Sequence, residues 1–156
     1  MSYIDSNLMR GETVVYKAEI HWFIFLPGIV VAAIGFLMMA AGGEAGVFGA
    51  LALLVGVALI LKAAITKVTT ELAVTSKRVI AKVGLIRRST MELNHSKVES
   101  LNVNQGIFGR IFGYGTVVVN GTGGGATPVP GIDNPMEFRR NAMQTIDDFE
   151  PSLAAT

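Results

Sequence analysis

Apolar and polar positions divide the chain into a long uncharged region and a region of short alternating runs. No side chain from Trp22 to Gly43 carries a charge, nor does any from Ala45 to Leu61, and Glu44 alone separates the two stretches. A hydrocarbon core needs roughly 20 apolar residues of helix. Trp22–Ala41 meets that length, and Val47–Ile65 meets it if Lys62 extends its ammonium to the headgroups along its own stem. The connector from Gly42 to Gly46 allows only a tight turn, so the pattern predicts an antiparallel two-span hairpin over residues 21–65. Helices of a soluble core normally keep a polar stripe, and these have none. A secretory signal has a shorter apolar region, and here the preceding twenty residues mix Asp5, Glu12 and Glu19 with Arg10 and Lys17.

From Lys67 the period changes from helix to strand. Thr69–Thr75, Arg78–Val83, Leu85–Leu93 and Lys97–Val103 read as short strands, with turns at Ser76-Lys77 and Gly84. Ile107, Phe108, Ile111 and Phe112 share one face of a short helix that Gly113 or Gly115 ends. Thr116–Val119 and Thr127–Ile132 return to strand. The last element is a helix with Asn134 as N-cap, Pro135 in its first turn and Glu137 three residues after the cap. Its Phe138, Ala142, Ile146 and Phe149 should seal the sheet. The expected organisation is an N-terminal segment 1–20, the hairpin 21–65, a β-rich domain 66–150 and a loose tail 151–156. The fold class is therefore a membrane α-helical hairpin plus an antiparallel sheet domain closed by a C-terminal helix.

Composition agrees, with 51% apolar and 16% charged residues, the charge deficit being confined to the two spans. All 13 Lys and Arg lie outside the Gly-rich connector, which predicts both termini on the cytoplasmic side of the membrane. Net charge is +1, which gives no reason to expect a nucleic-acid partner. The chain has no cysteine, so disulfides, thiolate catalysis and thiolate metal sites are excluded. Neither span places an ionisable group at mid-depth, which argues against transport. Small residues recur in both spans (Gly28, Ala32, Gly35; Gly49, Gly56) and let helix backbones approach closely, within the hairpin or between subunits.

No arrangement of residues reads as catalytic. The run Gly121–Gly125 lacks the Lys-Ser/Thr of a phosphate loop and reads as a hairpin turn. His21 and His95 lie far apart, with no carboxylate at metal spacing. No enzyme and no cofactor is expected. Charge is the better clue: between Lys67 and Gly113 there are eight basic residues against three acidic ones. Lys77, Arg78, Lys82, Arg87, Arg88 and Arg110 are the candidate contacts for anionic lipid or a partner. The apolar set Ile107, Phe108, Ile111 and Phe112 is the candidate assembly surface.

Several stretches together carry a resemblance. They are Thr75–Ile86 (TSKRVIAKVGLI), Glu92-Leu93, Lys97–Val103 (KVESLNV), Gln105–Val117 (QGIFGRIFGYGTV) and Gly121–Gly123 (GTG). With Gly11-Glu12 and His21-Trp22 ahead of the spans, the chain resembles the membrane-anchored members of the bacterial pleckstrin-homology-like (PH-like) domain family. The resemblance implies a strongly bent antiparallel sheet, or partly open barrel, of about seven strands capped by a helix. It implies attachment to the membrane, and the Lys and Arg flanks add the expectation of a bacterial inner membrane with the domain in the cytoplasm. A membrane anchor joined to a domain without catalytic groups leads to the expectation of a non-enzymatic adaptor that binds a protein partner or assembles with itself as a homo-oligomer, with anionic-headgroup recognition, suggested by the basic surplus, as the alternative.

Overall fold

A computed structural model of the chain describes residues 3–84 and 89–154. It divides into two units, residues 22–68 and the remainder, residues 1–21 with 69–156.

The first unit is helical. A 3-10 turn, Trp22–Phe25, leads into α2 (Leu26–Ala41), and α3 (Gly43–Thr69) follows after Gly42; α1, a single turn at Tyr3–Ser6, belongs to the other unit. At 1.5 Å per residue, the 27 residues of α3 span about 40 Å, more than a hydrocarbon core. Trp22–Ala41, the 3-10 turn with α2, and Gly43–Thr69 are each long and apolar enough to cross a membrane. Their apolar side chains point outward: Leu37, Phe48 and Leu54 are 69%, 63% and 66% exposed. A core helix of a soluble protein would bury such residues.

What the two helices bury against each other is glycine. Gly28, Gly35, Gly49 and Gly56, with Ala63, are their buried positions. A Cβ at Gly35 would land on Leu53 and Gly49 of the opposite helix, one at Gly49 on Met39 and Gly35, and one at Gly56 on Ala32. The spacing is seven residues within each helix, which keeps a seam facing its partner when helices supercoil. Of the two roles open to the small residues, packing within the hairpin is the one these glycines fill.

The second unit holds seven strands in two antiparallel sheets. The first sheet has the order β1–β2–β3–β4, formed by Val14–Ala18, Glu71–Thr75, Arg78–Val83 and Ser89–Asn94. The second has the order β5–β6–β7, formed by Val98–Asn104, Tyr114–Gly121 and Ala126–Asp133. A bridge between Ile20 and Ile132 joins them just beyond β1, supported by His21 N–H to the Gly131 carbonyl and Asp133 N–H to the Glu19 carbonyl, both 2.8 Å. The strands thus run β4–β3–β2–β1 and, through Ile20, on to β7–β6–β5: one bent sheet rather than a closed barrel. Leu72, Val74, Leu101, Val117, Val119 and Val129 form its core. The C-terminal helix α5 (Pro135–Ala154) packs on β1, β5 and β6 and buries Phe138 and Ala142.

The N-terminal segment is not separate from this domain. Val14 pairs with Thr75 and Ala18 with Leu72, so adjacent, hydrogen-bonded strands flank the entire helical hairpin. A connection between neighbouring antiparallel strands usually takes a few residues; here residues 19–70 fill it. Upstream, Ile4 is fully buried with Ala73 and Ile80, and Tyr3, Leu8 and Val14 pack around them. Residues 3–18 therefore supply both a strand and a cover for the sheet.

Candidate functional site

The basic residues singled out in the sequence do not form one surface. Arg78 opens β3 on the sheet face that the N-terminal segment covers, and it is 5% exposed. Its guanidinium donates from Nε to Glu12 Oε1 at 2.9 Å, from Nη2 to Glu12 Oε2 at 3.0 Å and to the Asn7 carbonyl at 2.7 Å. Nη1 donates to Glu92. Glu12 also accepts from the Thr75 hydroxyl and from Met9 N–H, both at 2.7 Å. Burial alone would raise the Glu12 carboxyl, but the Arg78, Met9 and Thr75 hydrogen bonds outweigh it and bring the pKa down to about 2. Arg78 is therefore a correction to the candidate contact set: its donors are spent on fastening the N-terminal segment to the sheet.

Lys82 is similarly committed. Its Nζ lies 3.4 Å from Glu71 and 4.9 Å over the Tyr3 ring, and its side chain is 12% exposed. Glu71 in turn accepts from Tyr3 N–H at 2.8 Å. Lys77 is exposed and donates to the Arg10 carbonyl at 2.9 Å, and Arg110 is exposed on α4. Arg87 and Arg88 lie outside the described residues.

The apolar candidates do come together. Ile107, Phe108, Ile111 and Phe112 all lie on α4 (Ile107–Phe112), and all are exposed. The one buried residue of the helix is Gly109, where a Cβ would collide with the Tyr114 carbonyl. Gln105 Nε2 ties the turn down, donating to the Tyr114 carbonyl at 3.1 Å and the Gly109 carbonyl at 3.3 Å. Gly113, in the left-handed region at φ 78°, ends the helix. The chain backbone thus presses inward at Gly109 while the large side chains face out.

The remaining candidates have local roles. The run Gly121–Gly125 makes the β6–β7 turn, with Gly124 N–H bonding the Gly121 carbonyl at 3.0 Å. His21 stacks on Tyr114 at 5.6 Å and lies 3.9 Å from Asp133. His95 sits in the core beside the Thr75 and Arg78 backbone, edge-on to Phe149 at 5.1 Å. Burial lowers its pKa, only partly opposed by that backbone, and neither ring nitrogen meets hydrogen-bond geometry with a partner. Among the described residues, no three side chains of metal-ligating type come together.

Sequence reasoning missed the Glu12–Arg78–Glu92 cluster. Glu12 and Arg78 are 66 positions apart, and only the pairing of β1 with β2 across the hairpin brings them together. One signal was present: Arg78 directly precedes the apolar run Val79-Ile80-Ala81, where a basic residue on a buried strand needs a carboxylate.

No curated protein and no solved structure matches the chain. A family model described as Bacterial PH domain matches residues 23–145, from the start of the helical hairpin into α5. That match covers most of the chain, and seven antiparallel strands with a C-terminal helix are the architecture the sequence resemblance implied; the chain belongs to the bacterial PH domain family.

Proposed function

We propose that the protein is a non-enzymatic binding module anchored in a bacterial inner membrane, its PH-like domain held at the cytoplasmic face to engage a partner protein or a second copy of itself. The observation that carries this reading is the position of the hairpin. It interrupts a connection between two paired strands, β1 and β2. The chain must leave and re-enter the same side of the membrane for those strands to pair, which suits two crossings. The Lys and Arg flanks make that side the cytoplasm. A domain fastened at two points of one sheet cannot leave the bilayer, which suits a platform for recruitment better than a soluble catalyst.

The accessible surface supports protein binding. Among the described residues β4 ends the first sheet and pairs only with β3, and its Ser89, Thr90, Glu92 and Asn94 are exposed, which suits its outer edge to an added strand. The alternative of anionic-headgroup recognition retains Lys77 and Arg110 as exposed cations, but loses Arg78 and Lys82 to internal carboxylates. A photo-crosslinking residue at Thr90 of the full-length protein in native membranes tests the main reading. The expected result is one discrete protein adduct from Thr90 and none from Thr122 in the β6–β7 turn. An absence of adduct at Thr90, with intact protein of monomeric mass in lipid nanodiscs, overturns it.

A further inference from the structure

We propose that α4 is a second, interfacial membrane contact: Ile107, Phe108, Ile111 and Phe112 enter the boundary between headgroups and acyl chains of the bilayer that the hairpin crosses. The inference rests on the membrane-anchored reading above and adds a surface to it.

Three observations select lipid as the occupant. The first is chain continuity. Tyr114, two residues beyond α4, stacks on His21, and the next residue, Trp22, starts the apolar helical hairpin. The first residue of β6, two positions after α4, is thus stacked on the residue that precedes the apolar helical hairpin. The second is charge. From Ser100 to Ile132 the chain carries no acidic residue, and Arg110 is its single charge. An anionic leaflet meets no acidic side chain on α4 itself, Asp133 lying instead beside His21, and Arg110 can stay among headgroups while its neighbours go deeper.

The third is size. Ile107, Phe108 and Ile111 are 78%, 65% and 68% exposed, a dense apolar patch on a helix only about 9 Å long by its rise. A stable protein–protein interface buries about 800 Å² on each partner, more than four side chains on one and a half turns supply. Interfacial insertion of a tethered domain needs far less, because the tether already fixes its concentration at the surface. The inward-pressed Gly109 and the Gln105 clamp fix α4 with Ile107, Phe108 and Ile111 already facing outward, so little ordering is required on insertion.

The cysteine-free chain permits a direct test. Leu54→Cys in the hairpin and Phe108→Cys and Ile111→Cys in α4 are each labelled with bimane in the full-length protein, one copy per nanodisc of phosphatidylethanolamine and phosphatidylglycerol. Expected is loss of emission on acyl-brominated lipid at all three positions, together with protection from aqueous iodide. Iodide quenching without bromine quenching at 108 and 111, with Leu54→Cys still bromine-quenched, overturns the α4 contact and leaves the anchor standing. Protection from both quenchers at 108 and 111 overturns it in favour of a protein contact. Insensitivity to brominated lipid at position 54 overturns the anchor and the α4 contact together.

Discussion

Replacing Glu12 by alanine would leave the Arg78 guanidinium buried with two of its four short hydrogen bonds gone. Glu12 now receives Nε at 2.9 Å and Nη2 at 3.0 Å, and its own side chain is fully enclosed. Removing one partner of a buried pair costs about 3–5 kcal/mol, because the other charge stays desolvated. A separate route gives a similar size: lowering the carboxyl from 4.5 to about 2 corresponds to about 3 kcal/mol of stability at neutral pH. Against a total of roughly 5–15 kcal/mol for a domain, such a loss is severe. The assay is urea denaturation of the full-length protein in nanodiscs, followed by near-ultraviolet circular dichroism of the sheet domain, for Glu12→Ala, Arg78→Met and the double variant. Each single change should cost about 3 kcal/mol or more, and the double change clearly less than both added, since it leaves no orphaned charge. A cost below about 1 kcal/mol for Glu12→Ala, as for an exposed pair, would refute the reasoning.

Two further predictions concern pH and the helical seam. Burial lowers the His95 pKa below 6.5, so the unfolded chain takes up its proton first and the domain loses stability as pH falls through and below about 6.5. Glu12 adds a second loss below about 4.5, ending near 2; pH-dependent urea midpoints should therefore flatten between 7 and 5 in His95→Leu and keep the lower step. In the hairpin, Gly56→Leu puts a side chain onto Ala32 and should destabilise the helix pair by about 1–3 kcal/mol in detergent-titrated unfolding, while the outward-facing Val57→Leu should change it little.

The elements legible in the sequence are those whose signal is local. Two uncharged runs of helix length announce the hairpin, and Ser76-Lys77 and Gly84 punctuate β2 and β3. The face shared by Ile107, Phe108, Ile111 and Phe112 marks α4 without help from tertiary contacts. Strand β1 was not legible: Val14–Ala18 is only five residues, and its partner lies beyond the whole hairpin. The same separation hides the fate of Arg78, since the charge of a residue is written in its side chain but its burial is set by Asn7 and Glu12 from the N-terminal segment and by Glu92 from β4. Lys82 looks like a surface lysine until Tyr3, from the N-terminal segment, is placed over it beside Glu71, its partner across the β2–β3 hairpin. Surfaces that stay exposed can be read from sequence pattern; surfaces consumed by long-range pairing cannot.

The proposed topology is a hairpin that crosses the membrane twice from within one sheet. Single cysteines at Asp5, Ala45 and Thr122 place a reporter on the N-terminal cover, in the first turn of α3 beside the Gly42-Gly43 connector, and in the β6–β7 turn. A membrane-impermeant maleimide applied to spheroplasts should label Ala45→Cys at once, and Asp5→Cys and Thr122→Cys only after permeabilisation. Labelling of Asp5→Cys and Thr122→Cys from opposite sides, or of all three from the same side, would contradict it.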